Sequence, residues 1–239
     1  MSAFDGVLAV VTGATEGIGR ATAFALGRAG ARLAICARNA KSVTATVAAL
    51  REDGIDAAGT PCDVRDPDSV VVFGRYVRDQ IGDPTILVNN AGIGRFAPLD
   101  EMSLDDWDDV QNTNVRSLFL VTREFLPAMK RAGRGDIVNV ASLAGRNGFP
   151  GGTAYTASKH AVLGFSKSLL LEVRPQGVRV IAICPGSVDT PWIEKSGRPK
   201  ANRNKILHAE DVADTIVHAL SLPADRATIS ELDIRPANP

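Results

Sequence analysis

The chain has 239 residues, 45% of them hydrophobic and 23% charged, which fits one globular domain over residues 1–239. Its 27 basic and 27 acidic residues cancel, so no overall field draws it to nucleic acid or to an anionic membrane. It carries neither a basic leader followed by an apolar stretch nor an apolar run of about 18 residues, and the expectation is a cytoplasmic protein with no membrane partner.

Residues 7–11, Val-Leu-Ala-Val-Val, are continuously apolar and too short for a helix. They predict a strand buried on both faces, as in a parallel sheet. A glycine-rich turn, 12–19, leads into a helix over about 18–29, which Gly30 closes. Strands follow at 32–36, 56–62 and 85–89. Between them lie helices from 40 to about 53 and from Asp66-Pro67 to about Gly82, the second opened by a proline that needs no N–H partner there. A long helical pattern runs from 104 to about 131 and is expected to break near Pro127. Strands at 137–140, 178–184 and 229–234 alternate with helices at 153–173 and 209–220. This alternation predicts an α/β, doubly wound parallel sheet flanked by helices, with no repeat of fixed period.

Gly13, Gly17 and Gly19 join the first strand to the first helix. Missing Cβ atoms let a phosphate approach the backbone, and the helix N-terminus presents free N–H groups to it. The spacing is a variant of the dinucleotide fingerprint, placed between strand and helix where that fingerprint belongs. A carboxylate at the end of the second strand would bind a ribose 2′-hydroxyl. Here the stretch is Cys36-Ala37-Arg38-Asn39, with a guanidinium suited to a 2′-phosphate. NADP(H) is therefore expected over NAD(H), with NAD(H) still possible; Glu16, a negative charge in the glycine loop, argues mildly the other way.

Tyr155 and Lys159 are four residues apart on one predicted helix and so share a face. A phenol titrates near pH 10, and a fixed ammonium beside it favours the phenolate. The pair fits a tyrosine tuned to pass a proton. Ser142, at the end of the preceding strand, is the candidate donor next to it. The bland alternative is a half-buried ring beside a snorkelling lysine. Cys36, Cys62 and Cys184 and the histidines at 160, 208 and 218 lack ligand spacing, so no metal is expected.

Taken together, 12–19, Asn89-Asn90-Ala91-Gly92, Asn114, Ser142, Tyr155-Thr156-Ala157-Ser158-Lys159 and Pro185-Gly186 resemble the short-chain dehydrogenase/reductase family over essentially the whole chain. The resemblance implies a Rossmann-like, three-layer fold with about seven parallel strands and a nicotinamide cofactor. It implies Tyr155 as general acid/base, Lys159 as its partner that also binds the nicotinamide ribose, and Ser142 as the donor to the substrate oxygen. Asn114 resembles the residue that holds a water beside Lys159. Gly13, Thr15, Gly17, Ile18 and Gly19 match the pyrophosphate turn. Asn90, Ala91 and Gly92 resemble the wall under adenosine and ribose, and Asp63-Val64 the adenine contact. Pro185, Gly186, Val188 and Thr190 resemble the strip along the carboxamide. Ala141 departs from the second serine common in the family.

The segment near 190–208 is expected to form a short substrate lid. Its basic run through Lys195, Arg198, Lys200 and Lys205 reads first as a solvated loop and second as a guide for an anionic substrate. Residues following strand ends (Gly94, Arg95, Phe96, Leu143, Arg146, Asn147, Phe149 and Trp192) are expected at the pocket mouth. The implied activity is hydride transfer between nicotinamide and a small-molecule carbonyl or secondary alcohol. Reduction of 3-ketoacyl thioesters is the narrower alternative. The ending Leu232-Asp233-Ile234-Arg235-Pro236 looks closer to compact reductases of hydroxy acids, pterins or ketones. A dinucleotide-sensing protein without chemistry would have lost Tyr155 or Lys159, and a sugar-nucleotide epimerase would need an added domain. The family is mostly dimeric or tetrameric, so a homodimer or homotetramer is expected; apolar residues at 119, 125, 163, 165 and 169 fit either core or interface.

Overall fold

The computed structural model describes residues 3–196 and 205–237. Strands β1 (Leu8–Thr12), β2 (Arg32–Ala37), β3 (Ala57–Pro61), β4 (Ile86–Asn89), β5 (Gly135–Val140), β6 (Val178–Pro185) and β9 (Glu231–Ile234) form one parallel sheet in the order β3-β2-β1-β4-β5-β6-β9. Helices α1 (Gly17–Arg28), α2 (Ala40–Glu52) and α8 (Ala209–Ser221) cover one face. Helices α3 (Pro67–Gln80), α5 (Ser117–Ala132) and α6 (Thr153–Val173) cover the other. This is the expected three-layer, doubly wound architecture, with a seven-stranded sheet. All five residues of β1 and all eight of β6 are buried, which is why these segments read as unbroken apolar runs rather than alternating ones.

The strand order reverses between β1 and β4, and ligands of open α/β sheets bind at such a switch point. The two strand ends are tied together there. Thr12 Oγ1 accepts from the N–H groups of Asn90 and Ala91, both at 3.1 Å, and Asn90 Nδ2 donates to the carbonyls of Thr12 at 3.0 Å and Gly13 at 3.1 Å.

The helical pattern from 104 onward is broken, but not at the proline. Helix α4 (Leu104–Gln111) passes into a π-turn, Asn112–Arg116, and then into α5. Pro127 lies inside α5 without ending it. The residue is exposed, so water can take the carbonyl its missing N–H leaves unpaired. Of the apolar residues that left core and interface open, Phe125, Leu163 and Leu169 are buried, whereas Phe119 is exposed. Three short elements were not expected from the sequence: β7 (Val188–Asp189), paired in parallel with β8 (Leu207–His208), and α7 (Pro191–Lys195). They frame the predicted lid. Its Arg198 and Lys200 lie outside the described residues.

Candidate active site

A cleft of about 1010 Å³ opens at the carboxyl ends of the strands. It is large enough for a dinucleotide with a small partner molecule. Of the predicted site residues, Gly13, Thr15, Gly17 and Ile18 line it from the first turn, Arg38, Asp63 and Val64 from the β2 and β3 ends, and Asn90, Ala91 and Gly92 from the β4 end. Ser142, Tyr155 and Lys159 line the opposite end, with Pro185, Gly186, Val188 and Thr190 between.

Gly19 does not line the cleft. It is buried below it, where a Cβ would run into Asn90 Nδ2 and the Gly13 carbonyl. Its function is close packing of α1 on the strand ends, the task of the third glycine in such turns. Gly17 (φ +53°) has the left-handed backbone that the turn into α1 requires.

At the β2 end, Arg38 is exposed and lies near enough to Asp63 to help lower its pKa. The larger cause of that lowering is the hydrogen bond from Arg65, whose guanidinium also meets Asp109 at 2.9 Å. Asn39 caps α2 by accepting from the Ser42 N–H at 2.9 Å. Arg65 lines the cleft too and was not anticipated, since an arginine two residues after an aspartate carries no signal of its own.

At the other end, α6 presents the tyrosine–lysine pair. Lys159 is buried, its Nζ donates to the Val140 carbonyl at 2.8 Å, and it stands 5.7 Å from the Tyr155 ring centroid. Burial in apolar surroundings pulls Lys159 down to about 8. Ser142 follows β5, and its Oγ accepts from the Ala144 N–H at 3.1 Å and points back to the Pro185 carbonyl at 3.5 Å.

Asn114 sits in the π-turn, away from the cleft surface. Its Oδ1 accepts from Ile93 N–H at 2.8 Å, and its Nδ2 donates to the Ile93 carbonyl at 2.9 Å and to Ser158 Oγ at 3.0 Å. A small cavity of about 10 Å³ joins it to Lys159, Ser117 and Asn139, at the lower limit for one water. π-turns of this kind recur at functional sites.

Two expected mouth residues are placed differently. Arg146 turns from the cleft to bind Asp233 at 2.8 Å and Glu231 at 2.7 Å, because carboxylates on β9 offer it partners that the apolar mouth does not. Phe96 lies behind the lining and packs on Tyr155, Phe149 and Trp192. Glu16, which weighed against a phosphate, is met by Lys195 Nζ of α7 at 2.7 Å, so its charge is compensated.

The residues present fit a dinucleotide. Bare backbone at Gly92 faces the region between Asn114 and Lys159, where a Cβ would stand 3.2 Å from Asn114 Oδ1 and 3.7 Å from Lys159 Nζ. A cradle of glycines at one end and hydroxyls beside an ammonium at the other define a nucleotide-binding α/β protein with acid–base groups. Sequence comparison narrows the class: the short chain dehydrogenase family profile matches residues 7–201, and the chain belongs to that family. A 3beta-hydroxysteroid dehydrogenase of Mediterraneibacter gnavus is 41% identical over 190-odd positions, namely 197 residues covering 82% of this chain and 71% of that protein. Among solved structures, an alcohol dehydrogenase of the archaeon Thermococcus sibiricus complexed with 5-hydroxy-NADP superposes with a TM-score of 0.90, at 30% identity and covering 98% of this chain and 97% of that one. A variant of actinorhodin polyketide ketoreductase with NADPH superposes with a TM-score of 0.89, at 33% identity and 96% coverage of both chains.

Proposed function

We propose that this chain is an NADP(H)-dependent oxidoreductase that interconverts a carbonyl and a secondary alcohol. The observation that carries the reading is one cleft holding both parts: the glycine turn and Arg38 at one end, and Tyr155, Lys159 and Ser142 at the other. Arg38 supports a 2′-phosphate, since no carboxylate stands at the β2 end to bind a bare hydroxyl. The two structural relatives named above were solved with NADP-type cofactors, which points the same way. When bound, the nicotinamide supplies or accepts the hydride.

The chain's own groups handle the oxygen. Ser142 Oγ donates to the substrate oxygen and holds it toward α6. Tyr155 gives its phenolic proton to that oxygen as negative charge builds on it, or takes the proton in the reverse direction. Lys159, still protonated below about pH 8, stabilises the phenolate left behind and holds the nicotinamide ribose. Asn114 keeps the π-turn in place, and one water held in the cavity between it and Lys159 would relay to the lysine–tyrosine pair the proton that bulk solvent supplies. Gly13, Thr15, Gly17 and Ile18 hold the pyrophosphate with Asn90, Ala91 and Gly92 under the ribose, Asp63 and Val64 hold adenine, and Pro185, Gly186, Val188 and Thr190 hold the carboxamide.

The reading takes residues 1–239 as one domain acting in the cytoplasm as a homodimer or homotetramer; of the expected lid near 190–208, residues 197–204 lie outside the described residues. No described helix is long and apolar enough to cross a membrane. Exposed Leu104, Phe119 and Leu171 on α4, α5 and α6 are the natural self-association surface. A second reading is reduction of a 3-ketoacyl thioester, with which the likeness to a polyketide ketoreductase, a reductase of a keto group, is compatible.

The test is steady-state turnover of ketones followed at the reduced-nicotinamide absorbance. Tyr155→Phe is expected to lower kcat by about 10²–10⁴-fold while leaving dinucleotide affinity nearly unchanged. Arg38→Asp is expected to move preference from NADPH to NADH. Wild-type rates in Tyr155→Phe would end the proposal.

A further inference from the structure

Four rings meet at the catalytic end of the cleft, and each comes from a different segment. Phe96 follows β4, Phe149 lies in the loop between β5 and α6, Tyr155 is on α6, and Trp192 is on α7. Trp192 stands 5.3 Å from Tyr155 between centroids, and Phe96 stands 5.6, 5.7 and 5.9 Å from Tyr155, Phe149 and Trp192. These are the separations and tilted or edge-on poses that aromatic pairs prefer. Phe96 backs the group, while Phe149, Tyr155 and Trp192 face the cleft.

All four rings are half-buried, and Phe149, Tyr155 and Trp192 turn apolar surface to the cleft. The backbone makes room for them. A Cβ on Gly94 would stand 2.6 Å from the Trp192 ring, and one on Gly152 would stand 2.5 Å from the Phe149 ring. Leu143, Ile93 and Ile193 extend the apolar wall. Among the described residues, Arg95 and Asn147 are polar side chains that also line the cleft here. Arg95, which also lines this end, is engaged by Asp106 at 3.1 Å and by the Gly94 carbonyl at 3.3 Å. The Ser142 and Tyr155 hydroxyls serve a single carbonyl oxygen.

Resting on the carbonyl-reduction reading above, we infer that the substrate is a ketone or alcohol whose reacting carbon belongs to, or adjoins, an apolar ring system. Phe149 and Trp192 are its specificity-determining residues, and Phe96 positions both from behind. Small polyols and keto acids lack the apolar area this wall rewards, and a linear acyl thioester lacks the ring faces that pair with it.

Three probes separate the possibilities: 2-tetralone, hydroxyacetone and the acetoacetyl thioester of N-acetylcysteamine. In Trp107→Phe protein, Trp192 is the sole tryptophan, and its emission is followed in the presence of NADP⁺, so that no reduction occurs. Tetralone is expected to quench that emission saturably, at a concentration at least about tenfold below any response to hydroxyacetone. With NADPH, wild-type kcat/KM is expected to rank tetralone first. Trp192→Leu and Phe96→Leu should each lower the ratio of kcat/KM for tetralone to that for hydroxyacetone by about tenfold. Trp192→Phe, which keeps a ring, should recover most of the loss. An equal fall on all three probes, or preference for hydroxyacetone or the thioester, overturns the inference. Turnover of none of the three, with Trp192 still saturably quenched by tetralone, leaves the ring-binding wall standing and removes the carbonyl-reduction reading instead.

Discussion

Lys159 shows how far a single residue departs from what suits stability. Its ammonium is buried, and the folded chain holds it at about 8 instead of the usual 10.5. Below pH 8 both folded and unfolded chains carry the proton, and the burial penalty is present in full. Between 8 and 10.5 the unfolded chain binds the proton while the folded one releases it, so stability rises with pH across that window. Lys159→Met should therefore abolish turnover yet raise the melting temperature of the cofactor-free protein at pH 7, by about 3 °C for each kcal/mol recovered. It should also flatten the pH dependence of melting between 8 and 10. A lower melting temperature at pH 7 would mean that the bond to the Val140 carbonyl outweighs the buried charge. At this scale part of the site was legible: Tyr155 and Lys159, with Gly13 and Gly17 of the first turn, singled out by spacing and joined by the family resemblance, line one cleft, while Gly19 packs below it. Arg146 and Glu16 were not, because their partners, Asp233 and Lys195, lie 87 and 179 residues away.

Elements were legible where burial leaves a long pattern. The 21 residues of α6 and the apolar run of β6 were found nearly to the residue, whereas the two-residue strands β7 and β8 leave no period to read. The π-turn was hidden for a different reason. One extra residue in a turn does not stop the apolar spacing on either side, and Pro127 offered a stronger but misleading cue. What joins the elements is hidden as well. Arg179 on β6 is buried, pairs with Asp136 on β5, and donates to the carbonyls of Leu220 at 3.0 Å and Leu222 at 2.8 Å at the end of α8. A basic group there satisfies carbonyls the helix cannot. Arg179→Met strands a carboxylate and two carbonyls in a confined space and should lower stability by about 3 kcal/mol, read as a fall in the urea midpoint. The turnover of the molecules that remain folded should not change, since the residue lies far from the cleft lining; a stability loss below about 1 kcal/mol would show that water reaches these groups easily.

Across the whole molecule, the sheet places the ends of β1 and β4 side by side, and residues from both halves of the chain share one cleft. Only one described ion pair links the glycine turn to the lid, that of Glu16 with Lys195. Both partners line the cleft beside the glycine turn and are 46% and 63% exposed, so the pair contributes little to folding. Its effect belongs to the cofactor's exit. The pair ties α7 to the glycine turn, and its opening is expected to ease departure of a dinucleotide from that turn. Lys195→Met should leave the melting temperature unchanged and speed NADP(H) release by about threefold, the range open to an exposed pair. Stopped-flow displacement of bound NADPH measures this directly. High salt should speed release from the wild type toward the variant's rate and leave the variant nearly unaffected, because screening weakens the pair the variant lacks. An acceleration of equal size at low and high salt would place the effect in the packing of the Lys195 stem on the turn and not in its charge.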